Sequence, residues 1–174
     1  MALLNYHSLI DEMHFIDFKG DTLSIANAGT IKLIRINNDV FYHDKVYVKL
    51  IRDSNGIKLA RKQTVRVIGK TKIGGYDMAS PTSAIDSYGT LFDQRGVFNL
   101  VPREDVLLAK KTLYYFGDKY SQFVLATRKN LLQQFPKQSR ALNAYLKENN
   151  VNFNSIGDLE KLLQFLATLL NTAP

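Results

Sequence analysis

The sequence begins with about 70 residues in which apolar and polar side chains alternate, and this alternation constrains the fold more than any other feature. In the stretch TIKLIRINNDVFYHDKVYVKLI, residues 30–51, branched and aromatic side chains recur with the period of two that suits a pleated strand. Polar turn signals interrupt the pattern at 37–39, 43–44 and 53–56. Connections this short favour antiparallel meanders over crossover units.

The alternation predicts two sets of strands with an irregular segment between them. Residues 71–104 are interrupted by glycine and proline and show no sustained periodicity, so we predict a long irregular loop there. The strand pattern then returns over 105–126, with a hairpin turn at Gly117 and Asp118. The predicted strands are 3–7, 10–18, 22–26, 31–36, 40–43, 46–52, 57–62, 64–69, 106–109, 112–116 and 120–126.

From Thr127 onward the apolar spacing becomes that of helices. Thr127 is predicted to cap the first helix and Pro136 to lie in the first turn of the second. Ser155 with Asp158 resembles a capping box for the third helix. Apolar residues of the second and third helices and of their connection predict a packed cap over the core. These residues are Leu142, Tyr145, Leu146, Val151, Phe153, Ile156, Leu159, Leu162, Leu163, Leu166, Leu169 and Leu170.

These patterns predict a single α+β domain in which an antiparallel β meander forms a roll- or barrel-like sheet and three short helices form a C-terminal cap. The β body takes residues 1–70 and the cap takes 127–170. The last two helices do not match a DNA-reading helix-turn-helix, because Asp158 and Glu160 would repel phosphate at the start of the final helix.

Composition and spacing exclude several chemistries. The 174 residues include no cysteine, which excludes disulfides, thiolate metal sites and cysteine nucleophiles. No apolar run approaches the roughly 20 residues of a membrane helix. The histidines His7, His14 and His43 lack the spacing of metal ligands, and the Gly-Lys-Thr at 69–71 lacks the earlier glycine of a phosphate-binding loop. We predict no metal, no cofactor and no catalytic residue, and a hydrolase site assembled from distant positions stays an alternative.

The excess of positive charge lies in one segment of the sequence. Net charge is +7, and residues 45–72 hold nine basic residues and one acid, Asp53. On neighbouring strands these cations would share a face, with Tyr47 between them as a stacking surface, to bind an anion or a partner. The alternative is a solvated lysine face that protects the sheet edges. The predicted site residues are Lys45, Tyr47, Lys49, Lys58, Lys62, Arg66 and Lys70.

A second candidate recognition surface lies in the irregular loop. Aromatic residues on a loop either contact a partner or fix the loop to the body of the protein. The loop residues predicted to take part in recognition are Tyr76, Tyr88, Phe92 and Phe98.

The stretch YYFGDKYSQFVLATRKNLLQQFPKQSRALNAYLKENNVNFNSIGDLEKLLQFL, within residues 112–170, resembles the C-terminal signature of a bacterial cell-envelope protein family of unknown function. That signature has a short hairpin, a K-N-L-L-x-x-F-P turn, a lysine-rich helix, N-x-x-N-F and a final D-L-x-K-L helix. The matching positions are 129–136, 150–153 and 158–162. The resemblance implies export with a signal peptide, and it supplies no functional residues.

The sequence therefore predicts a non-catalytic binding or scaffold module of the bacterial envelope, exported with its leader absent from this chain. If Met1 is the native start, the expected location is cytoplasmic. The expected partner is an envelope protein or an anionic glycan or lipid surface. The alternative, a nucleic-acid-binding protein, would use the same basic face of residues 45–72.

Overall fold

The structure is a computed structural model, and it describes residues 3–25, 28–73, 79–81 and 104–171. The chain forms two compact units. The first unit comprises Met1–His7, Asp11–Gln63 and Thr112–Pro174, and the second comprises Ser8–Ile10 and Thr64–Lys111.

The strands form two antiparallel sheets, one of them curled into a half-barrel. The smaller sheet has the order β1-β2-β3, and the larger has the order β10-β9-β7-β6-β5-β4, with β8 paired to β7. With the helices that follow, this arrangement confirms the predicted α+β class. The strands are β1 (Leu3–His7), β2 (Glu12–Ile16), β3 (Thr22–Ser24), β4 (Leu33–Ile36), β5 (Asp39–His43), β6 (Tyr47–Ser54), β7 (Ile57–Ile73), β8 (Ala79–Pro81), β9 (Glu104–Gly117) and β10 (Phe123–Leu125).

Two strands are longer than the sequence pattern predicts. β7 is continuous where we predicted separate strands at 57–62 and 64–69, and it extends three residues into the predicted loop. β9 likewise replaces the predicted strands at 106–109 and 112–116. The polar residues that divided the pattern do not end a strand, because strands pair through backbone hydrogen bonds, to which every residue except proline contributes both groups.

The predicted turns between strands are present, but they are shorter than predicted, since strands include Asp39, His43, Asp53, Ser54 and Gly117. Asn37 and Asn55 adopt left-handed φ values of 52°, a conformation that asparagine tolerates better than most residues, and each begins the connection to the next strand. Gly56 follows with a φ of 79°, where a side chain would be strained. These backbone conformations fix the registers of β4 with β5 and of β6 with β7.

Three helices follow β10: α1 (Arg128–Gln134), α2 (Ser139–Glu148) and α3 (Ile156–Asn171). The Thr127 hydroxyl accepts a hydrogen bond from the Asn130 amide at 3.3 Å, as predicted for a cap. Only half of the predicted capping box is present. The Ser155 hydroxyl accepts from the Asp158 amide, but the Asp158 carboxylate accepts from the Asn152 amide at 3.0 Å instead of from residue 155.

The helices pack on one side of the larger sheet and confirm the predicted cap. Ile57 and Leu59 of β7 and Phe116 of β9 lie in one buried cluster with the leucines of α1, α2 and α3. Ile156 departs from the predicted stripe, since it is 39% exposed. A second cluster joins the smaller sheet to β4, β5 and β6; its buried residues are Met13, Ile34, Phe41 and Tyr47. Among the described residues, no helix is long and apolar enough to cross a membrane.

Candidate functional site

Three lysines of the predicted basic face each pair with a carboxylate. Lys49 Nζ lies 2.5 Å from Asp39 Oδ2, and Lys58 Nζ lies 3.7 Å from Asp53 Oδ2. Lys58 also donates to the Asp118 carbonyl at 3.2 Å. The ammonium of the third lysine, Lys62, contacts the Asp11 carboxylate. We call Lys49, Lys58 and Lys62 the paired lysines, and their pairing reduces the charge that they present to a partner.

The sequence predicts one face for the paired lysines and Tyr47, but only Lys49, two residues from Tyr47 in β6, shares that face. Lys49 lies opposite Arg61 in the register of β6 and β7. Because side chains alternate along a strand, Lys58 and Lys62 lie on the other face of the sheet. Lys58 and Lys62 are only 6% and 9% exposed, and Tyr47 is 5% exposed. Tyr47 therefore offers no open surface for stacking, because its ring belongs to the second core cluster.

Asp11 organises a polar network in the turn of the first hairpin, between β1 and β2. Besides contacting Lys62, its carboxylate accepts a hydrogen bond from the Tyr6 hydroxyl at 2.6 Å. Asp11 adopts a φ of 61°, a left-handed conformation that aspartate tolerates. Burial and the Asp11 charge raise the pKa of Tyr6, and the same two causes raise the pKa values of Tyr47 and Tyr115. Burial is the larger cause of the raised pKa at all three phenols and the Asp11 charge adds to it, while the same carboxylate stabilises one lysine that is almost fully buried.

Of the remaining predicted residues, the structure describes the side chains of two. Lys45 is exposed, and so is Arg66 of the second unit. The side chain of Lys70 lies outside the described residues. The four loop aromatics also lie outside them; these are Tyr76, Tyr88, Phe92 and Phe98.

Lys45 lines a small cavity of about 240 Å³. The cavity has two aromatic walls, Tyr115 and Phe123, and its other lining residues are Asp44 and Val46. The Asp44 carboxylate accepts from the Phe123 amide at 3.5 Å. Since Asp44 and Lys45 place opposite charges side by side, the cavity carries no net attraction for either sign of ligand.

His14 and Ser24 do not form the pair of general base and serine nucleophile that catalyses hydrolysis. His14 Nε2 lies 3.2 Å from Glu12 Oε2, and the Ser24 hydroxyl donates to the same oxygen at 2.6 Å. These bonds lower the pKa of Glu12, the bond from Ser24 being the larger cause. A serine that donates to the carboxylate cannot pass its proton to the imidazole, as hydrolysis requires. In the part of the chain that the structure describes, no cluster of three or more histidines and carboxylates could hold a metal ion.

A different surface carries unpaired positive charge, on helices α1 and α2 and the turn between them. Residues 127–147 include five basic residues and no acid. All five are exposed, and none pairs with a carboxylate of the described residues. We call these five residues the helical cation surface; they are Arg128, Lys129, Lys137, Arg140 and Lys147.

Arg128 of α1 joins this surface to α2 through a neutral side chain. Its Nη2 and Nε donate to Asn143 Oδ1 at 2.5 Å and 3.2 Å. Arg140 lies three residues before Asn143 and Lys147 lies four after it, so all three share one side of α2. The same helix buries Leu142 in the core, which turns Arg140 and Lys147 toward solvent. Three cations therefore lie around one amide.

The sequence predicts the cation site within residues 45–72 because basic residues are densest there. The sequence feature that points to the helical cation surface is the absence of acids from residues 127–147. A count of basic residues over the rest of the chain does not show this absence. The helical spacing of Arg140, Asn143 and Lys147 was also readable from the sequence. The contact between Arg128 and Asn143 depends on how α1 packs against α2, and no local pattern shows it.

Comparison of the chain with protein-family models, curated proteins and solved structures found no match.

Proposed function

We propose that this protein is a non-catalytic binding module for a linear polyanion, which it binds through the helical cation surface. One observation carries the proposal: five exposed cations lie on two adjacent helices and their connecting turn without a carboxylate partner among the described residues. Like charges held close together repel one another and raise the local positive potential. An anionic polymer that binds there lowers this repulsion energy. The polymer gains further free energy by releasing its condensed counterions.

The face predicted at residues 45–72 supports this function less well. The paired lysines are already neutralised by Asp39, Asp53 and Asp11. A polymer would have to break these ion pairs before it could use the cations, and removing one partner from a buried pair is costly. Binding of an anion by this face stays a prediction, with Lys45 and Arg66 as the exposed cations among the predicted site residues.

The composition of the helical cation surface favours a polymer over a lipid bilayer. A helix that lies on a membrane presents large apolar side chains that enter the headgroup region. None of the exposed large apolar side chains of the described residues lies within 127–148. The residues between the cations include Gln133, Gln138 and Asn143, whose amides donate hydrogen bonds to oxyanions.

The resemblance of residues 112–170 to envelope proteins supports a cell-surface location, and we propose that the natural polyanion is a component of the envelope. A nucleic acid is the competing polymer, since duplex DNA offers the same repeating negative charge.

The test measures binding of fluorescent polyphosphate, a sulfated glycan and random duplex DNA by anisotropy over a salt series. The helical variant replaces all five cations of the surface with glutamine. A matched control variant removes five exposed cations elsewhere with the same change in net charge: Lys19, Lys32, Lys45, Arg66 and Lys119.

We expect the helical variant to lose at least 100-fold in affinity at about 0.1 M salt and to show a salt slope near zero, because five contacts give a slope of about −4.5 on a duplex. The control variant should stay within about fivefold of the wild type. Equal losses in both variants, or no binding of any polymer by the wild type, would overturn the proposal. Preference among the three polymers decides which polyanion the surface accepts.

A further inference from the structure

The geometry points to a discrete phosphate-binding site centred on the Arg128 guanidinium, where one phosphate group of the polymer is held by direct hydrogen bonds. This inference rests on the proposed function, because it names the group that the helical cation surface recognises.

Arg128 is held in position without being neutralised. A guanidinium has five N–H donors arranged along two edges, and each edge can donate to two oxygens of an anion. The Nε and Nη2 edge is occupied by Asn143 Oδ1. Nη1 and the second proton of Nη2 form the other edge, and they have no acceptor among the described residues. An asparagine therefore orients the guanidinium and leaves its full charge and one bidentate edge for a ligand.

The neighbours of Asn143 complete a site for a tetrahedral anion. Arg140 and Lys147 flank Asn143 on the same side of α2, and both are exposed without a described carboxylate partner. The Asn143 side-chain amide has two N–H donors, and none of the described residues accepts from it. A carboxylate has two oxygens in one plane and is satisfied by the arginine edge alone. A phosphate has further oxygens outside that plane, which the flanking cations can reach.

The absence of acids also separates this cluster from a structural ion-pair network. A structural arginine usually meets a carboxylate, as Arg52 meets Glu160 in this protein. Around Asn143 the helices place three cations; residues 127–147 contain no Asp or Glu, and Glu148 at the end of α2 forms no ion pair with them. Repulsion among these cations is relieved only by an anion that comes from outside this stretch of the chain.

Two single variants separate a built site from general attraction. Arg128→Lys keeps the charge but removes the planar fork, so an attraction that depends only on charge would not change. Asn143→Asp keeps the position of the acceptor oxygen but supplies a carboxylate that neutralises Arg128. Lys32→Gln is the control for Asn143→Asp, because it makes the same change in net charge at an exposed lysine outside the helical cation surface.

Binding of inorganic phosphate, followed by the NMR shifts of the Arg128 Nε–H and the Asn143 amide, is the first readout. We expect about a tenfold loss of phosphate affinity in Arg128→Lys and Asn143→Asp, and less than a twofold change in Lys32→Gln. In Arg128→Lys the polyphosphate affinity should also fall, while the salt slope stays as in the wild type, because the number of cations is unchanged.

The failures of the two proposals can be told apart. If Arg128→Lys and Asn143→Asp bind phosphate as the wild type does, the discrete site is wrong, even when the five-glutamine variant loses the polymer. If the five-glutamine variant keeps the polymer, the proposed function is wrong. Phosphate shifts that spread over all exposed lysines, with none centred on Arg128 and Asn143, would also overturn the site.

Discussion

Two regions of this protein are basic, and they use their cations in opposite ways. In the sheet, the paired lysines are half-buried or buried, and each contacts a carboxylate. On α1 and α2, the cations are exposed, and none of them forms an ion pair with a carboxylate of the described residues, Glu148 at the end of α2 included. The denser basic segment of the sequence is thus the less available one, and accessible charge depends on partners as much as on the number of cations.

The difference comes from where the carboxylates lie along the chain. Asp39 is ten residues from Lys49, but Asp11 is 51 residues from Lys62. The long apolar stem of a lysine can be buried beside a sheet while its ammonium reaches such a distant partner. The stretch 127–147 contains no acid, and its helices turn their apolar side to the core. Their cations face outward and stay unpaired.

The largest expected effect separates binding from stability in the two regions. Replacing Arg128, Arg140 and Lys147 with glutamine should lower polyphosphate affinity about 100-fold at 0.1 M salt, since each cation accounts for nearly one unit of salt slope. The free energy of unfolding in urea should stay within about 0.5 kcal/mol of the wild type, because these side chains are exposed. If the triple variant has a lower free energy of unfolding than the wild type, these cations stabilise the fold. The contrast between the two basic regions would then be lost.

The complementary variant removes the three paired lysines in the same way. It should lower the unfolding midpoint and leave polyphosphate affinity within about threefold when measured on the folded protein. A loss of affinity as large as that of the helical triple variant would show that the paired lysines are available to the polymer.

The next effect concerns the network around Asp11. Asp11→Ala leaves Lys62 buried without its partner and Tyr6 without its acceptor, and it puts alanine at a φ of 61°. Loss of a buried partner costs about 3–5 kcal/mol, and since Asp11 is about one-third exposed we expect about 2 kcal/mol. Asp11→Asn should cost less, because asparagine accepts from Tyr6 and tolerates the same φ. Urea unfolding of both variants checks the order, and equal stability of Asp11→Ala and wild type would contradict it.

Local sequence patterns predicted the parts of this fold that depend on local physics. The alternation in 30–51 predicted β4, β5 and β6, and the cap at Thr127 and the leucine spacing of α3 predicted the helical cover. The patterns failed where pairing extends a strand through polar residues, as in β7, because a neighbouring strand supplies the hydrogen bonds there. They also failed at Tyr47, whose burial depends on the smaller sheet packing against it.

The candidate site was less predictable than the fold for the same reason. Whether Lys62 is free depends on Asp11 at the far end of the first unit's sequence, and whether Arg128 is oriented depends on the packing of α1 on α2. The absence of acids from 127–147 and the helical spacing of Arg140, Asn143 and Lys147 are the parts of the site that are visible in the sequence itself. The charge that a basic residue offers to a partner therefore depends on which acids can reach it. Acids that are distant in the sequence can be identified as its partners only from the fold.

A smaller effect appears at high pH. Burial and its hydrogen bond to Asp11 raise the pKa of Tyr6, so the folded protein holds the phenolic proton more tightly than the unfolded chain. This contribution to stability is complete below the unfolded pKa of about 10 and falls as the pH rises further. Tyr6→Phe should show a shallower loss of the urea midpoint between pH 9.5 and 11. Parallel curves for Tyr6→Phe and wild type would mean that Tyr6 ionises equally easily in both states.

The smallest effect tests whether burial sets the value of an ion pair in this protein. Arg52 of β6 lies in the basic segment and has a carboxylate partner, but both side chains are more than one-third exposed, and Nε lies 3.8 Å from Glu160 Oε1. Solvent screens such a pair, so Glu160→Gln should change the free energy of unfolding by no more than about 0.5 kcal/mol. Repeating the urea measurement at 1 M salt should abolish even that difference. If Glu160→Gln instead lowers the free energy of unfolding as much as Asp11→Ala does, pairing alone would stabilise the basic segment. Burial would then not explain why the lysines of the sheet are paired while the cations of the helices are not.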